Sequence, residues 1–505
     1  MLPKADKAHF SIYLDLPDGT ALDTTDQATQ ALTKVLLEDP DILRVESFVG
    51  AAPIVDFNGL FKGSSGRMIE SQATLVAHLT EPNNRNSTSE SIAFRIRDTL
   101  FPFRAAFPDA VTRIIEDPPG PPVLSTFLLK VKGEESETRE RIARDLATVA
   151  EHIDGVVDID TSIPERGVNP TYTIDTEKAS SLGVSLLDIG SSIQSALSGS
   201  HVGLFHASEN ETLYKEPQYI IIRFAQEDRT QERDLSRIKV VRKTGELIPL
   251  TTLLEPTDQS IERVISSDNR METTFVSAEM GNRSIVYAVL DIFPSLLKYH
   301  LPDNTGEEIS WSPLSVTYQD RSTGKQYQVE IDGEWKLTVE VFRDLGIVMG
   351  VVMFLIFFVL AARTKSLLVP GLIMVSIPLG LIGILPGFAM LQAIKGTYFN
   401  ATSMIGVIAL SGLSVKNAII YLEYLEPLKE SGRPIHEALV EAGRIRLLPI
   451  VLTSLAAIFG SFTIVSDPVW EGLAWSIIFG LSASTFLTLI IFPLLYFVFE
   501  RKHWS

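Results

Sequence analysis

The chain is 505 residues long, contains no cysteine and carries a formal net charge of −18 at pH 7. It therefore has neither disulfides nor thiolate metal sites. Its acidity argues against nucleic acid as a partner, because phosphate binding needs clustered lysine and arginine. The charge is unevenly placed: residues 345–505 hold ten Lys and Arg against eight Asp and Glu, which leaves −20 on residues 1–344. An acidic, water-soluble first part is joined to a nearly neutral, apolar second part.

The first part reads as repeated β–α–β units. A period-two strand at His9–Leu16 precedes a helix starting at Thr24 and a strand near Ile42–Phe48. The pattern returns as strand Ala73–Leu79, a helix from Ser89 and strand Ala110–Ile115. After the breaker DPPGPP comes a third unit, Val123–Val131, Glu135–His152 and Val156–Ile159. A fourth follows much later, with Glu272–Glu279, Ser284–His300 and Glu308–Tyr318. Such units form open α+β sandwiches, and their repetition suggests duplicated subdomains. Between the third and fourth units a different block, about Asn169–Ser266, holds TYTID, SLLDIGSSIQSALSG, QYIIIRF and a hairpin around Thr244–Gly245. Its ends lie in polar, turn-rich sequence, as those of an inserted domain do.

The loop between the first two units, Asp56 to Gly66, combines Gly59, Gly63 and Gly66 with Phe57 and Phe61. Glycines open backbone conformations closed to other residues, and the two phenylalanines could meet an apolar ligand. The residues by themselves favour an ordinary flexible connection.

Five apolar segments follow, at about Leu345–Ala362, Leu367–Leu391, Asn400–Tyr424, Leu447–Val465 and Leu473–Phe499. Each is close to or above the length of about 20 helical residues that crosses a bilayer. Loops on one side carry Arg363, Lys365, Lys429, Arg433, Arg444, Arg446, Arg501 and Lys502, and the other side carries only Lys395. The positive-inside rule puts the C-terminus in the cytoplasm and residues 1–344 outside. MLPKADKAHF has no basic region followed by an apolar one, so export of the first part is expected to depend on a membrane span ahead of this chain.

The third span carries Lys416 and Asn417 well inside its ends. A mid-span lysine costs about 3 kcal/mol on insertion scales and usually faces a protein interior. Snorkelling is disfavoured, since about 12 Å of helix separates Lys416 from the end near Tyr424. Ala409 and Gly412 share its face, and Ser403, Gly406, Ser414 and Asn417 form a neighbouring small or polar stripe suited to close helix contact. In SGRPIHEALVEAGRIR, the stripe Ile435, Ala438, Leu439 and Ala442 suggests a short interfacial helix. The next span sets Arg446, Pro449, Thr453, Ala457 and Gly460 at helical spacing. Thr453 either bonds back to its own helix or joins a polar seam with Lys416, and the seam is the expectation.

Soluble catalytic chemistry has little support. The eight histidines are scattered, and there is no Walker loop, G-x-G-x-x-G or H-E-x-x-H. The chain is not read as an enzyme, and no cofactor or resident metal site is expected. Met68, Met271 and Met280 could relay a soft cation, but core packing is the better account of them.

Taken together, GLSVKNAIIYLEY, EAGRIRLLPIVLTSLAAIFG, AARTKSLLVPGLIMVSIPLGLIG, LPDGTALDTT and PTYTIDTEKASSLGVSLLDI resemble the C-terminal half of a resistance–nodulation–division (RND) efflux permease of the multidrug-exporting, acriflavine-resistance-like class. The similarity runs over essentially the whole chain. It implies an α+β periplasmic region of ferredoxin-like porter subdomains with an inserted docking domain, followed by an all-α membrane domain of five helices. The corresponding boundaries are 1–121 for one porter subdomain, 122–168 and 267–341 for a second, 169–266 for the docking domain and 342–505 for the membrane domain. The resemblance implies a homotrimeric inner-membrane proton antiporter for small amphiphilic substrates, working with a periplasmic adaptor and an outer-membrane channel. Lys416 and Thr453 match the family's proton-relay lysine and threonine, Arg446 matches an arginine on the cytoplasmic proton route, and Asn417 neighbours the relay. FNGLFKGSSG resembles the family's loop between two drug pockets, which raises Phe57, Gly59, Phe61 and Gly63 to candidate gating residues. Leu448 stands where a third basic residue often occurs. Family members take up protons on an intramembrane aspartate pair in a first half, and residues 345–505 hold no mid-span Asp or Glu. A matching N-terminal half is therefore an expected partner, and the chain alone is expected to be inactive. A heavy-metal exporter is the alternative within the class, disfavoured by the sparse methionines, and a membrane-anchored scaffold or sensor is the alternative outside it.

The charge bias yields a direct test. A cysteine introduced at Ser208 of the assembled protein should react with an impermeant maleimide in intact spheroplasts, and one at Ser431 should not. Reverse labelling would overturn the topology.

Overall fold

The computed structural model describes residues 6–54, 60–116, 123–163, 168–205, 218–225, 232–260, 265–281, 283–302 and 306–500. They fall into two compact units, Met1–Ile163 with Ile265–Ser505, and Pro164–Val264.

The larger unit opens with strand β1 (His9–Asp15), helix α1 (Leu22–Leu37), β2 (Ile42–Val49), β3 (Gln72–Leu79), α2 (Ser89–Thr99), α3 (Phe101–Ala106) and β4 (Val111–Ile115). The first two predicted β–α–β units thus merge into one antiparallel sheet of order β2-β3-β1-β4. Phe10, Ile12 and Leu14 of β1 lie under Leu32 and Leu36 of α1 and Ile92 and Ile96 of α2. This is the period-two stripe of a half-buried strand meeting the period-3.6 stripes of two helices. Helix α1 starts two residues before the expected Thr24. The segment from Ser89 breaks after Thr99, because Pro102 sits in the first turn of a new helix, where its missing N–H costs nothing.

A second sheet follows with β5 (Phe127–Lys132), α4 (Ser136–Glu151) and β6 (Val156–Thr161). The smaller unit intervenes with β7 (Val168–Ile174), α5 (Thr176–Ser181), α6 (Leu186–Leu197), β8 (Ser200–Phe205), β9 (Gln218–Ile222), β10 (Lys239–Val241), β11 (Leu247–Pro249) and β12 (Leu254–Ser260). Its strands pair β7 with β12, β8 with β9, and β10 with β11. Val184, Ile189, Val240, Leu250 and Leu253 form its core. The larger unit resumes with β13 (Ser267–Asp268), β14 (Met271–Met280), α7 (Ile285–Lys298), β15 (Gly306–Ser312), β16 (Ser315–Asp320) and β17 (Gln326–Gly333). Its seven-stranded sheet has the order β13-β14-β5-β17-β16-β15, with β6 also on β14.

Two expectations are corrected here. The single strand Glu308–Tyr318 is a hairpin, β15 and β16, divided where Pro313 lacks the N–H a ladder needs. Strand β17, unread in the sequence, lies in the middle of the sheet, burying Tyr327, Val329 and Ile331 in alternation.

Strand β17 runs without a loop into α8 (Glu334–Thr364). Gly333 makes the joint at φ +68°, and a Cβ there would meet the carbonyl oxygens of Ser125 and Thr126 at 2.5 and 2.7 Å. The Glu334 N–H donates to Thr126 O at 3.1 Å. The rest of the chain is helical: α9 (Leu368–Met374), α10 (Ser376–Lys395), α11 (Ala401–Glu430), α12 (Ile435–Phe462) and α13 (Glu471–Glu500). Five stretches are long and apolar enough to span a membrane, α9 and α10 counting as one. The break at Val375 follows from Pro378, which offers no N–H to the Met374 carbonyl.

The predicted interfacial helix and fourth span are one helix, α12. Arg444–Leu448 contains no breaker, and the stripe Ala438, Leu439 and Ala442 is buried with Tyr421 of α11 rather than laid on a surface. The Tyr421 hydroxyl donates to Leu439 O at 2.5 Å. At 28 residues the helix is about 42 Å long, beyond the hydrocarbon thickness of about 30 Å.

On the second sheet, Lys132 bonds Asp268 at 2.8 Å and Glu330 at 2.5 Å, Lys130 bonds Asp332 at 2.5 Å, and Lys336 of α8 bonds Glu330 at 2.9 Å. The Lys132 hydrogen bond, helped by Lys130, holds the Asp268 carboxyl below the usual range. Burial pushes Glu330 up, but its bonds to Lys132 and Lys336 outweigh this and leave it lowered. Burial pulls Lys132 down, and its bonds to Asp268 and Glu330 raise it overall. The depressed carboxylates contribute stability above about pH 4 that is lost as pH falls through their folded values. The raised lysine contributes below about pH 10, losing it as pH rises through its folded value. Asp268→Asn should lower stability at pH 7 by about 1 kcal/mol, the scale of a partly exposed pair, and flatten the acid limb. Chemical denaturation across the acid range measures both, and an unchanged acid limb would contradict the linkage.

Candidate functional site

Helix α11 presents two faces with different chemistry. The stripe Ser403, Gly406, Ser414 and Asn417 packs against α13. Ser476 Oγ donates to Ser403 O at 2.9 Å, and Ser484 Oγ donates to Ser414 Oγ at 2.7 Å. A Cβ on Gly406 would meet Ser476 Cβ at 2.6 Å, so the small residue is what lets the two backbones approach. Asn417 is 3% exposed and its Nδ2 donates to Ser454 Oγ of α12 at 3.3 Å and to Thr485 Oγ1 of α13 at 3.4 Å. Thr485 Oγ1 donates in turn to Ser454 Oγ at 2.8 Å. Three helices therefore meet at one buried polar triad, in which each group has a partner.

Ala409, Gly412 and Lys416 lie on the exposed face of α11. Lys416 lines an apolar groove of about 490 Å³, shared with Leu355, Ile356 and Val359 of α8 and closed at one end by Glu423. Glu423 accepts a bond from Arg363 at 2.5 Å. Among the described residues Lys416 has no hydrogen-bond or ion-pair partner.

The expected pairing of Lys416 with Thr453 in one seam is not what the structure shows. Thr453 is exposed and its Oγ1 donates to Ile450 O of its own helix at 3.0 Å. The residue beside it, Ser454, turns inward to Asn417. One residue is about 100° of helix rotation, so the same sequence stripe serves either face until packing sets the rotation. Arg446 stands over the Tyr424 ring at 5.2 Å, in cation–π range. Ser454, Ser484 and Thr485 went unread because serine and threonine in a span look like ordinary backbone-bonded residues.

In the glycine-rich loop, Phe57 and Gly59 lie outside the described residues. Phe61 is 44% exposed, and Gly63 has φ +79° ahead of a short helical turn, Ser64–Gly66, a conformation that favours glycine. Two cations flank this turn. Arg67 Nη2 donates to Leu14 O at 2.9 Å and Ala73 O at 3.1 Å, pairs with Asp15 at 2.8 Å and stands over the Tyr13 ring. Lys62 Nζ donates to Glu279 Oε1 at 3.1 Å and Glu116 O at 3.3 Å. A cavity of about 150 Å³ adjoins Tyr13, Lys62, Arg113, Asp160 and Glu279. The core packing expected of the methionines holds for Met280, in the second sheet, and is overturned for Met68 and Met271, which are exposed. Among the described residues no cluster of His, Asp and Glu could hold a metal.

A sequence profile of the AcrB/AcrD/AcrF family matches residues 1–500. The chain is 25% identical over 512 residues to the toluene efflux pump membrane transporter TtgB of Pseudomonas putida, covering 98% of this chain and 44% of that protein. It is 24% identical to the multidrug export protein AcrF of Escherichia coli, covering 99% and 45%. With the cobalt-zinc-cadmium resistance protein CzcA of Cupriavidus metallidurans it shares 24% identity, covering 75% of this chain and 34% of that one. The crystal structure of a heavy metal efflux pump superposes with a TM-score of 0.75 at 19% identity, over 99% of this chain and 48% of that one. The chain thus spans less than half the length of these relatives.

The two faces of α11 should respond differently to truncation. Asn417→Ala should destabilise the detergent-solubilised chain by about 1–2 kcal/mol, as loss of interhelical polar bonds does. Lys416→Ala should change it by less than about 0.5 kcal/mol, as at an unpartnered surface position. Thermal unfolding compares them, and equal losses would contradict the assignment of faces.

Proposed function

Because the chain belongs to the AcrB/AcrD/AcrF family, we propose that it is the C-terminal half of an inner-membrane RND efflux permease that exports amphiphilic molecules by proton antiport. Residues 1–341 lie in the periplasm and the C-terminus in the cytoplasm. The first sheet and its helices form one ferredoxin-like porter subdomain, the second sheet a second one split by an inserted docking domain at about 169–266. The permease works as a homotrimer with a periplasmic adaptor and an outer-membrane channel.

The observation that carries this reading is the unpartnered Lys416 in an apolar groove. An ammonium in a membrane interior demands a carboxylate nearby, because charges attract strongly at low dielectric. Residues 345–505 hold no mid-span acid, and Glu423, in the same groove near the end of the span, is already paired with Arg363, so the partner comes from a helix of the N-terminal half seated beside α8 and α11. Lys416 releases and recaptures that carboxylate as the acid gains and loses a proton. Thr453, on an open face of α12, and Arg446 on the cytoplasmic side serve the same proton route, and the Asn417 triad keeps α11 turned so that Lys416 faces it. A passive membrane anchor has no use for such an amine. Phe57, Gly59, Phe61 and Gly63 act in gating the substrate.

A heavy-metal cation exporter is the second reading, favoured by the likeness to CzcA and to the heavy metal pump fold. The burial of Met280 in a packed core weighs against soft-metal relay. Survival under cobalt, zinc or cadmium, set against survival under dyes and solvents, separates the two.

The chain alone should confer no resistance and no proton flux, and co-expression with a matching N-terminal half should restore both. Lys416→Ala should then abolish flux while leaving assembly intact. Proton-driven efflux by the purified chain alone in liposomes would overturn the reading.

A further inference from the structure

The short turn in the glycine-rich loop is held at Arg67 by the first sheet and at Lys62 by both sheets, the Tyr13 hydroxyl of β1 donating to Lys62 O at 3.5 Å. Arg67 bonds Leu14, Ala73, Thr74 and Asp15, all in or bordering β1 and β3 of the first sheet. Lys62, five residues earlier, reaches across to Glu279 on β14 of the second sheet, 217 residues away in sequence. Its side chain is 3% exposed and that of Glu279 is 11% exposed. The second carboxylate oxygen of Glu279 accepts from Thr126 Oγ1, and the Lys62 ammonium also donates to Glu116 O, just past β4. The pair is thus oriented at both ends, and either charge that loses the other is left largely buried beside a small cavity. Phe61 precedes Lys62 directly, so fixing the lysine backbone fixes where the exposed ring is offered.

We propose that Lys62 is the positioning residue that ties the glycine-rich loop to the second sheet, so that separating β4 from β14 and releasing the loop are one event. Arg67 stays with the first sheet throughout and acts as the pivot. This deepens the gating role proposed above for the loop, and its test reads the loop itself rather than export.

The absence of cysteine allows single-site labelling of the detergent-solubilised full chain. With Phe61→Cys as reporter, Lys62→Met and Glu279→Gln should each speed reaction with N-ethylmaleimide by about tenfold or more, as expected when a buried pair is broken. Lys62→Arg, which keeps a cation able to donate both to Glu279 and to the Glu116 carbonyl, should stay within about twofold of the parent rate. A second reporter, Ser322→Cys in the turn after β16, should not change. An unaltered Phe61→Cys rate in Lys62→Met would overturn the proposal, as would a rate in Lys62→Arg as fast as that in Lys62→Met. Equal acceleration at position 322 would do the same, by revealing general loosening. A chain that exports nothing under any condition and yet shows the expected labelling keeps this proposal and removes the export reading.

Discussion

A lone ammonium in the apolar stretch of a 30-residue helix constrains everything around it. Water is absent there, so Lys416 needs either a counter-charge or a protein wall. The five helices divide accordingly. α13 packs with α10, α11 and α12 through small residues and hydroxyls, and on this side Ser403 O, Ser414 and Asn417 of α11 all find partners. The opposite side, with Ala409, Gly412 and Lys416 of α11 and the apolar rows of α8, is left open. Only 6% of the apolar window of α8 is buried, although Phe354, Leu355 and Phe358 are as bulky as core residues. Lipid can cover those side chains but not the ammonium. That difference is why the proposed acid-bearing helix of another polypeptide is set against the open side.

The polar triad of Asn417, Ser454 and Thr485 serves this arrangement indirectly. A buried amide must be bonded, and only one rotation of α11 brings Asn417 to both neighbouring helices. Lys416, the preceding residue, is then turned to the open groove. Packing on one face of the helix thereby sets the direction of the charge on the other.

The larger unit also has rigid joints between its soluble and membrane parts. Strand β17 passes into α8 through Gly333 with no loop to absorb motion, and the charge cluster on β5 and β17 takes in Lys336 of the first helical turn. A tilt of α8 therefore acts on the second sheet at once. The Lys62–Glu279 pair lies on the neighbouring strand β14, where the second sheet meets the glycine-rich loop of the first.

The amino-acid sequence by itself determined the division into an acidic β–α part and five apolar spans, the extra block between the third and fourth units, and the presence of a charge, Lys416, inside a span. These rest on period and composition, which are local. The rest depended on tertiary structure. Thr453 and Ser454 were equally placed to meet α11, and only helix rotation, set by contacts with α13, chose the serine. The stripe Ile435 to Ala442 fitted a membrane surface as well as a helix interface, and Tyr421 decided for the interface. Strand β17 carried a clear alternation that passed unread, while the Pro313 hairpin showed its break only once its partners were in place. Lys62 looked like one more loop lysine, because nothing in its neighbourhood marks a partner 217 residues away. Buried charge pairs of that kind arise when two sheets close over them, and the sequence carries no local trace of that closure.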